Sequence, residues 1–288
     1  VSLGLERGRR IAVIYALGPI VSGEGFYSVI GGRTLSRTIR RAREDSSIAA
    51  IVLRVDSPGG SAVGSDVIWR EVFLAKKEKP VVVSMSDLAG SGGYWISMGA
   101  HKIVAQPQTL TGSIGVLAGK FNLAGLYEKL GITAEKLTHG RRADLFTTFR
   151  AMTPEERSFL KQEIRWTYDR FLTKAAEGRN MTKEDVDEVG RGRVWTGRQA
   201  REVALVDELG GLSKAIELAK NLAGIAPSAE VRLVVWPKKT SLFGMLFGRP
   251  QIKSGLPLLA DLEELATTLT VLQRENPLAV MPFWLPTD

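Results

Sequence analysis

The chain has 288 residues, 44% hydrophobic and 24% charged, the balance of an ordinary globular protein built as one large domain or one domain with appendages. Its formal charge of +8 reflects 39 basic against 31 acidic residues, yet the arginine clusters carry no interleaved aromatic stacking residues, which argues against a nucleic-acid partner. The absence of cysteine excludes disulfides, thiolate catalysis and zinc–thiolate sites, and no apolar run approaches the ~18 residues that cross a bilayer.

In chain order, Ile11–Ala16 reads as a buried strand closed by Gly18-Pro19, with a mobile loop at Ser22-Gly23-Glu24-Gly25. Arg33–Glu44 is an amphipathic helix whose arginines face solvent or anionic lipid headgroups. Ala49–Val55 is a second strand, followed by Asp56-Ser57-Pro58-Gly59-Gly60-Ser61 and a helix with Val67, Ile68, Val72 and Ala75 on one face. Val81–Met85 is a third strand, Ser91–Met98 a helix and Ile103–Ala105 a fourth strand. This alternation predicts βαβ units and a mostly parallel sheet, an α/β fold. Thr109–Val116 reads as extended chain close to other backbone, Leu123–Leu130 as a short helix and Thr133–Leu137 as a strand. Thr153-Pro154-Glu155-Glu156 is a capping-box start for a long helix ending near Gly178. A helix opening at Trp195, a turn at Val206–Gly211, the helix Leu212–Ala223 and the strand Glu230–Trp236 follow. Residues 1–236 thus form the expected domain. The tail 237–288, with an apolar patch at 242–247 and a leucine-rich helix near 256–272, is expected to cover its own domain, a sister subunit or a membrane surface.

Ligands of parallel sheets sit beyond the carboxyl ends of the strands, and both glycine-rich loops, 56–61 and 87–93, follow strands. Three glycines around Ser91 allow a sharp turn that exposes its hydroxyl at a helix N-terminus. The natural chemistry is acyl transfer: Ser91 attacks a carbonyl, and the N–H groups of Gly92 and of Gly59 or Gly60 receive the oxyanion. Asp56 either braces the Gly59–Gly60 loop or caps a turn, the turn being favoured. Ser57 and Ser61 are expected to cap the next helix, Ser113 either holds its loop over the site or satisfies backbone groups, and Tyr94 and Trp95 belong to the core or a subunit contact.

Four segments in register carry a resemblance: Arg54–Ser61, Gly90–Ser97, Leu110–Gly115, and Val194–Gly197 with Val206–Gly210. They resemble the signal peptide peptidase A (protease IV) family, over roughly residues 11–225. The resemblance implies the Clp-protease/crotonase superfold, cleavage of hydrophobic peptides such as signal-peptide remnants, a homo-oligomer and a membrane-associated, extracytoplasmic location. It implies no cofactor and no metal. It also implies a Ser–Lys dyad, in which burial lowers the pKa of a lysine so that it serves as general base.

In short members of the family that lysine lies in a Gly-x-x-Lys-Asp segment, which here reads Gly140-Arg141-Arg142-Ala143-Asp144. Ala143 stands where the base is expected, and guanidinium groups do not deprotonate to replace it. With a chain that begins at Val1, the favoured expectation is the carboxyl-terminal half of a tandem-domain protein whose missing N-terminal half supplies the lysine. Lys120 or Lys136 moving in, His139 acting as base, or a hydrolytically dead homologue are the alternatives. Asp144 keeps an orienting role or is merely surface. From other classes, a crotonase-like acyl-CoA enzyme shares the fold, and a non-catalytic scaffold needs no base.

Overall fold

A computed structural model describes residues 8–25 and 29–236, and the backbone of 278–280. The strands and helices come in this order: β1 (Arg9–Leu17), β2 (Ile20–Val21), β3 (Ile30–Gly31), α1 (Gly32–Glu44), β4 (Ile48–Ser57), β5 (Gly59–Ser61), α2 (Ala62–Glu78) and β6 (Val81–Gly90). There follow α3 (Gly92–Trp95), β7 (Lys102–Ala105), β8 (Leu110–Gly112), α4 (Ala124–Lys129), α5 (Pro154–Arg179) and α6 (Lys183–Val189). The last are β9 (Val194–Thr196), α7 (Gly197–Glu202), β10 (Glu208–Leu209), α8 (Leu212–Leu222), β11 (Val231–Trp236) and β12 (Leu278–Val280).

The main sheet runs β10-β7-β6-β4-β1-β11, with every neighbouring pair parallel. Its central strands are β-branched runs with both faces covered, as a parallel sheet requires. Alternate residues of each strand enter opposite layers. Ile14, Ile51, Leu53 and Val83 pack in one core with Leu35 and Ile39 of α1 and Ile68 and Val72 of α2. Ile11, Val13, Val52, Val82 and Val104 pack in the other with Ala215 and Ala219 of α8. The upper end of β6 pairs with β8, which pairs antiparallel with β9. A second, small sheet runs β12-β5-β2-β3.

Local signals account for most boundaries. The Thr153 hydroxyl accepts from the Glu156 amide while Glu156 returns a bond to the Thr153 amide, and Pro154 fixes the first turn of α5. Asn180, at φ 54°, ends that helix in a left-handed cap.

Several expectations are corrected. Val67 points to solvent, and the buried stripe of α2 is Ile68, Trp69, Val72 and Ala75. Residues 133–137 form no strand and lie exposed. The helix after Ser91 is a single turn, Gly92–Trp95, while β6 runs on to Gly90. Trp195 and Thr196 belong to β9, with α7 beginning one residue later, and the turn at 206–211 contains β10, paired to β7. Helix α6, opened by a Thr182–Asp185 capping box, was not anticipated. The apolar patch at 242–247 and the helix near 256–272 lie outside the described residues.

Candidate active site

Ser91 follows β6 and caps α3, with φ 51° and ψ −111°. A non-glycine residue at positive φ is strained, and the surroundings have to over-determine it. They do so from three sides. The Ser91 amide donates to the Gly112 carbonyl at 2.8 Å, its carbonyl accepts from Trp95 at 2.8 Å, and Trp95 is anchored in the core by stacking on Phe171. The Ser91 hydroxyl rests 3.3 Å from the Gly115 carbonyl oxygen, and the residue is fully buried.

The partner loop lies against this turn. An added Cβ on Gly93 would sit 2.7 Å from the Ser57 carbonyl oxygen, so only glycine lets α3 approach the end of β4 this closely. Ser57 does not cap α2. Its hydroxyl accepts from the Gly59 amide at 3.1 Å, whereas Ser61 does cap α2 through the Gly64 amide. Gly92 lies in the first turn of α3, where amides have no intrahelical acceptor and the dipole favours negative charge. Gly60, at φ +148°, sits between Ile20 of β2 and Ala279 of β12, and a Cβ there would lie 2.1 Å from the Ile20 carbonyl oxygen. Gly60→Ala is therefore expected to destabilise the chain by about 1–3 kcal/mol or more through overpacking, read as a lowered thermal midpoint.

Other candidates are placed as follows. The Asp56 carboxylate accepts from the Leu88 amide at 3.3 Å, tying the end of β4 to β6. Burial first, and then neighbouring Asp87, pushes its pKa up. Ser113 is buried at φ 48°, its amide bound to the Arg193 carbonyl at 2.7 Å, so it holds the 112–115 turn beneath Ser91. Ala143 is exposed in a turn, and His139 is exposed in an irregular segment. Lys136 is bound to Asp144 at 2.6 Å. Lys120 has a buried amine with no hydrogen-bond partner, and its pKa is pushed down by burial first and then by Arg150. It lines a cavity of about 400 Å³ with Met152, Arg157 and Leu160. Sequence reasoning did not single out the Gly112 and Gly115 carbonyls as partners of Ser91; the two glycines of Thr111-Gly112-Ser113-Ile114-Gly115 were their visible trace. Among the described residues no cluster of side chains is suited to hold a metal ion, and no helix is long and apolar enough to cross a membrane.

Asp144, next to Ala143, belongs to a cluster of ion pairs. Arg150 binds both Asp144, at 2.9 Å, and Glu156, at 2.5 Å. These contacts hold Asp144 well below the usual carboxylate range and bring Glu156 down to about 2. A depressed carboxylate stabilises the fold above its unfolded pKa and loses that contribution as pH falls through its folded pKa. The 144–156 segment is therefore expected to open between about pH 4.5 and pH 2, seen as faster amide exchange. Arg150→Ala should remove that acid-dependent step.

A strained serine at a strand-to-helix turn, facing a glycine-rich strand on the carboxyl edge of a parallel sheet, is the candidate nucleophile position of this chain. The model for peptidase family S49 matches residues 74–226, and the chain belongs to that family. The chloroplastic serine protease SPPA of Arabidopsis thaliana is 43% identical over 254 residues, covering 86% of this chain and 38% of that protein. The chain thus spans well under half of that relative. A protease-named protein of Synechocystis is 34% identical over 278 residues, covering 96% of both chains. A solved membrane-bound stomatin-specific protease shares the fold, with a TM-score of 0.50 and 16% identity, covering 79% of this chain and 98% of that one.

Proposed function

We propose that this chain is the nucleophile-bearing domain of a serine endopeptidase that cleaves hydrophobic peptides, such as signal-peptide remnants, at a membrane surface. Ser91 attacks the scissile carbonyl, and the amides of Gly92 and of Gly59 or Gly60 receive the oxyanion. Gly59 has to exchange its Ser57 acceptor for the oxyanion if it takes part. The lysine base comes from a second, homologous domain, and the assembly is a homo-oligomer on the extracytoplasmic side.

The observation that carries this reading is the isolation of a well-built nucleophile. Ser91 is held in strained geometry, yet its hydroxyl rests on a backbone carbonyl and the expected base position is an exposed alanine. Strain of this kind persists where it is used. A serine-directed phosphonate probe tests it: labelling at Ser91 should appear once a lysine-bearing homologous domain is supplied. The exposed Ala143 also favours a second reading, a hydrolytically inactive scaffold. That reading predicts no labelling even with the second domain present.

A further inference from the structure

We propose that residues 278–280 of this chain occupy the strand-acceptor edge beside Ser91, so that its own C-terminal segment competes with peptide for the site. This rests on the endopeptidase reading above. The pairing is antiparallel: Leu278 lies opposite Ser61, Ala279 opposite Gly60 and Val280 opposite Gly59. β5 has β2 on one side and β12 on the other, so β12 takes its last free edge. β12 also lies against α3, the turn that begins beside Ser91. The segment therefore touches both elements from which the oxyanion donors are drawn.

A peptide whose carbonyl reaches Ser91 needs backbone partners at that place, and an open strand edge is the ordinary way to provide them. Ser91, Gly59, Gly60 and Ser61 are all fully or almost fully buried in this arrangement, which leaves no path for a substrate strand. The tail is suited to be displaced. Pro277 and Pro282 bracket the paired residues, and proline has no N–H to extend the ladder. Three residue pairs make a short, exchangeable strand rather than a fixed one. Leu278, Ala279 and Val280 are apolar, the chemistry expected of the peptides they would stand in for.

The test is peptide binding to the full-length chain, measured by fluorescence anisotropy with a labelled synthetic peptide of residues 276–285. Successive amides of a strand alternate in direction, so the double variant A279P/V280P removes whichever one faces β5. The variant should bind the peptide at least about tenfold more tightly than the unaltered chain. Amides of Gly59–Ser61 should exchange faster in the variant and regain protection when the peptide is added. Equal affinity in two chains with the same thermal midpoint overturns the proposal. So does a variant that no longer folds, because β12 is then a permanent part of the sheet. Binding needs no turnover: if a reconstituted enzyme shows no Ser91-dependent hydrolysis while the tenfold difference holds, the endopeptidase reading alone fails.

Discussion

Purified alone, the 288-residue chain is expected to hydrolyse apolar peptides at no more than background rate. Adding a homologous domain that carries the Gly-x-x-Lys segment should raise the rate by about 10²–10⁴, the contribution of a positioned general base. The rise should vanish with Ser91→Ala. A serine hydroxyl is a weak nucleophile until a base takes its proton. Here the hydroxyl points at the Gly115 carbonyl, which accepts a hydrogen bond but cannot accept the proton. The candidate base inside this chain is Lys120, whose buried amine has no hydrogen-bond partner and is held below its ordinary pKa by burial. Lys120→Met decides between the two sources. If the second domain supplies the base, the reconstituted rate is unchanged. If Lys120 is the base, the isolated chain is active by itself and the substitution silences it. Robust Ser91-dependent hydrolysis by the isolated chain would refute the split site.

The parallel sheet was legible because its strands are mostly apolar runs rich in β-branched residues, set between glycine-rich turns. Ile11–Ala16, Ala49–Val55 and Val81–Met85 fall within β1, β4 and β6. The joining of loops 56–61 and 87–93 followed from strand order alone. Failures came where long-range contacts decide. Residues 133–137 have strand-like composition but stay exposed and pair with no strand. Val206–Gly211 looks like a turn, and Glu208–Leu209 becomes a strand because β7 offers a free edge. The positive φ of Ser91 was foreshadowed by its glycine neighbours. The Gly112 and Gly115 carbonyls that meet it were not, since nothing in a sequence states which backbone acceptor a buried hydroxyl will find. β12 lies more than two hundred residues from its partner β5, and no local pattern marks such a pairing.

The largest loss of stability is expected from Arg179→Met, about 3–5 kcal/mol, the usual result of breaking a buried ion pair from one side. The Arg179 side chain is 7% exposed and binds Asp207 at 2.8 Å and the Ala204 carbonyl at 3.0 Å. It fastens the C-terminal end of α5 to the segment leading into β10. Asp207 also accepts from the Ile103 amide at 2.8 Å and meets Lys102 at 3.3 Å, so the same carboxylate locks β7 into place. Burial alone would push Asp207 up; the Arg179 guanidinium, the Ile103 amide and Lys102 outweigh it and hold the carboxyl below its usual range. Removing Arg179 leaves that carboxylate desolvated with Lys102, itself 45% exposed, as its remaining salt-bridge partner among the described residues. At roughly 2–4 °C per kcal/mol for a domain of this size, the thermal midpoint should fall by on the order of 10 °C. The pH dependence separates this from lost packing. In the unaltered chain the contribution of Asp207 is present above its unfolded pKa and is lost as pH falls through its depressed folded pKa. In Arg179→Met the acid limb of the melting curve should move to higher pH. Arg179→Lys, which keeps the charge but not the planar fork, should recover only part of the midpoint. A midpoint unchanged by Arg179→Met would mean that Lys102 and the Ile103 amide suffice to hold Asp207. Since β7 is hydrogen-bonded directly to β6, the strand that leads into Ser91, this lock bears on the Ser91 turn through one intervening strand.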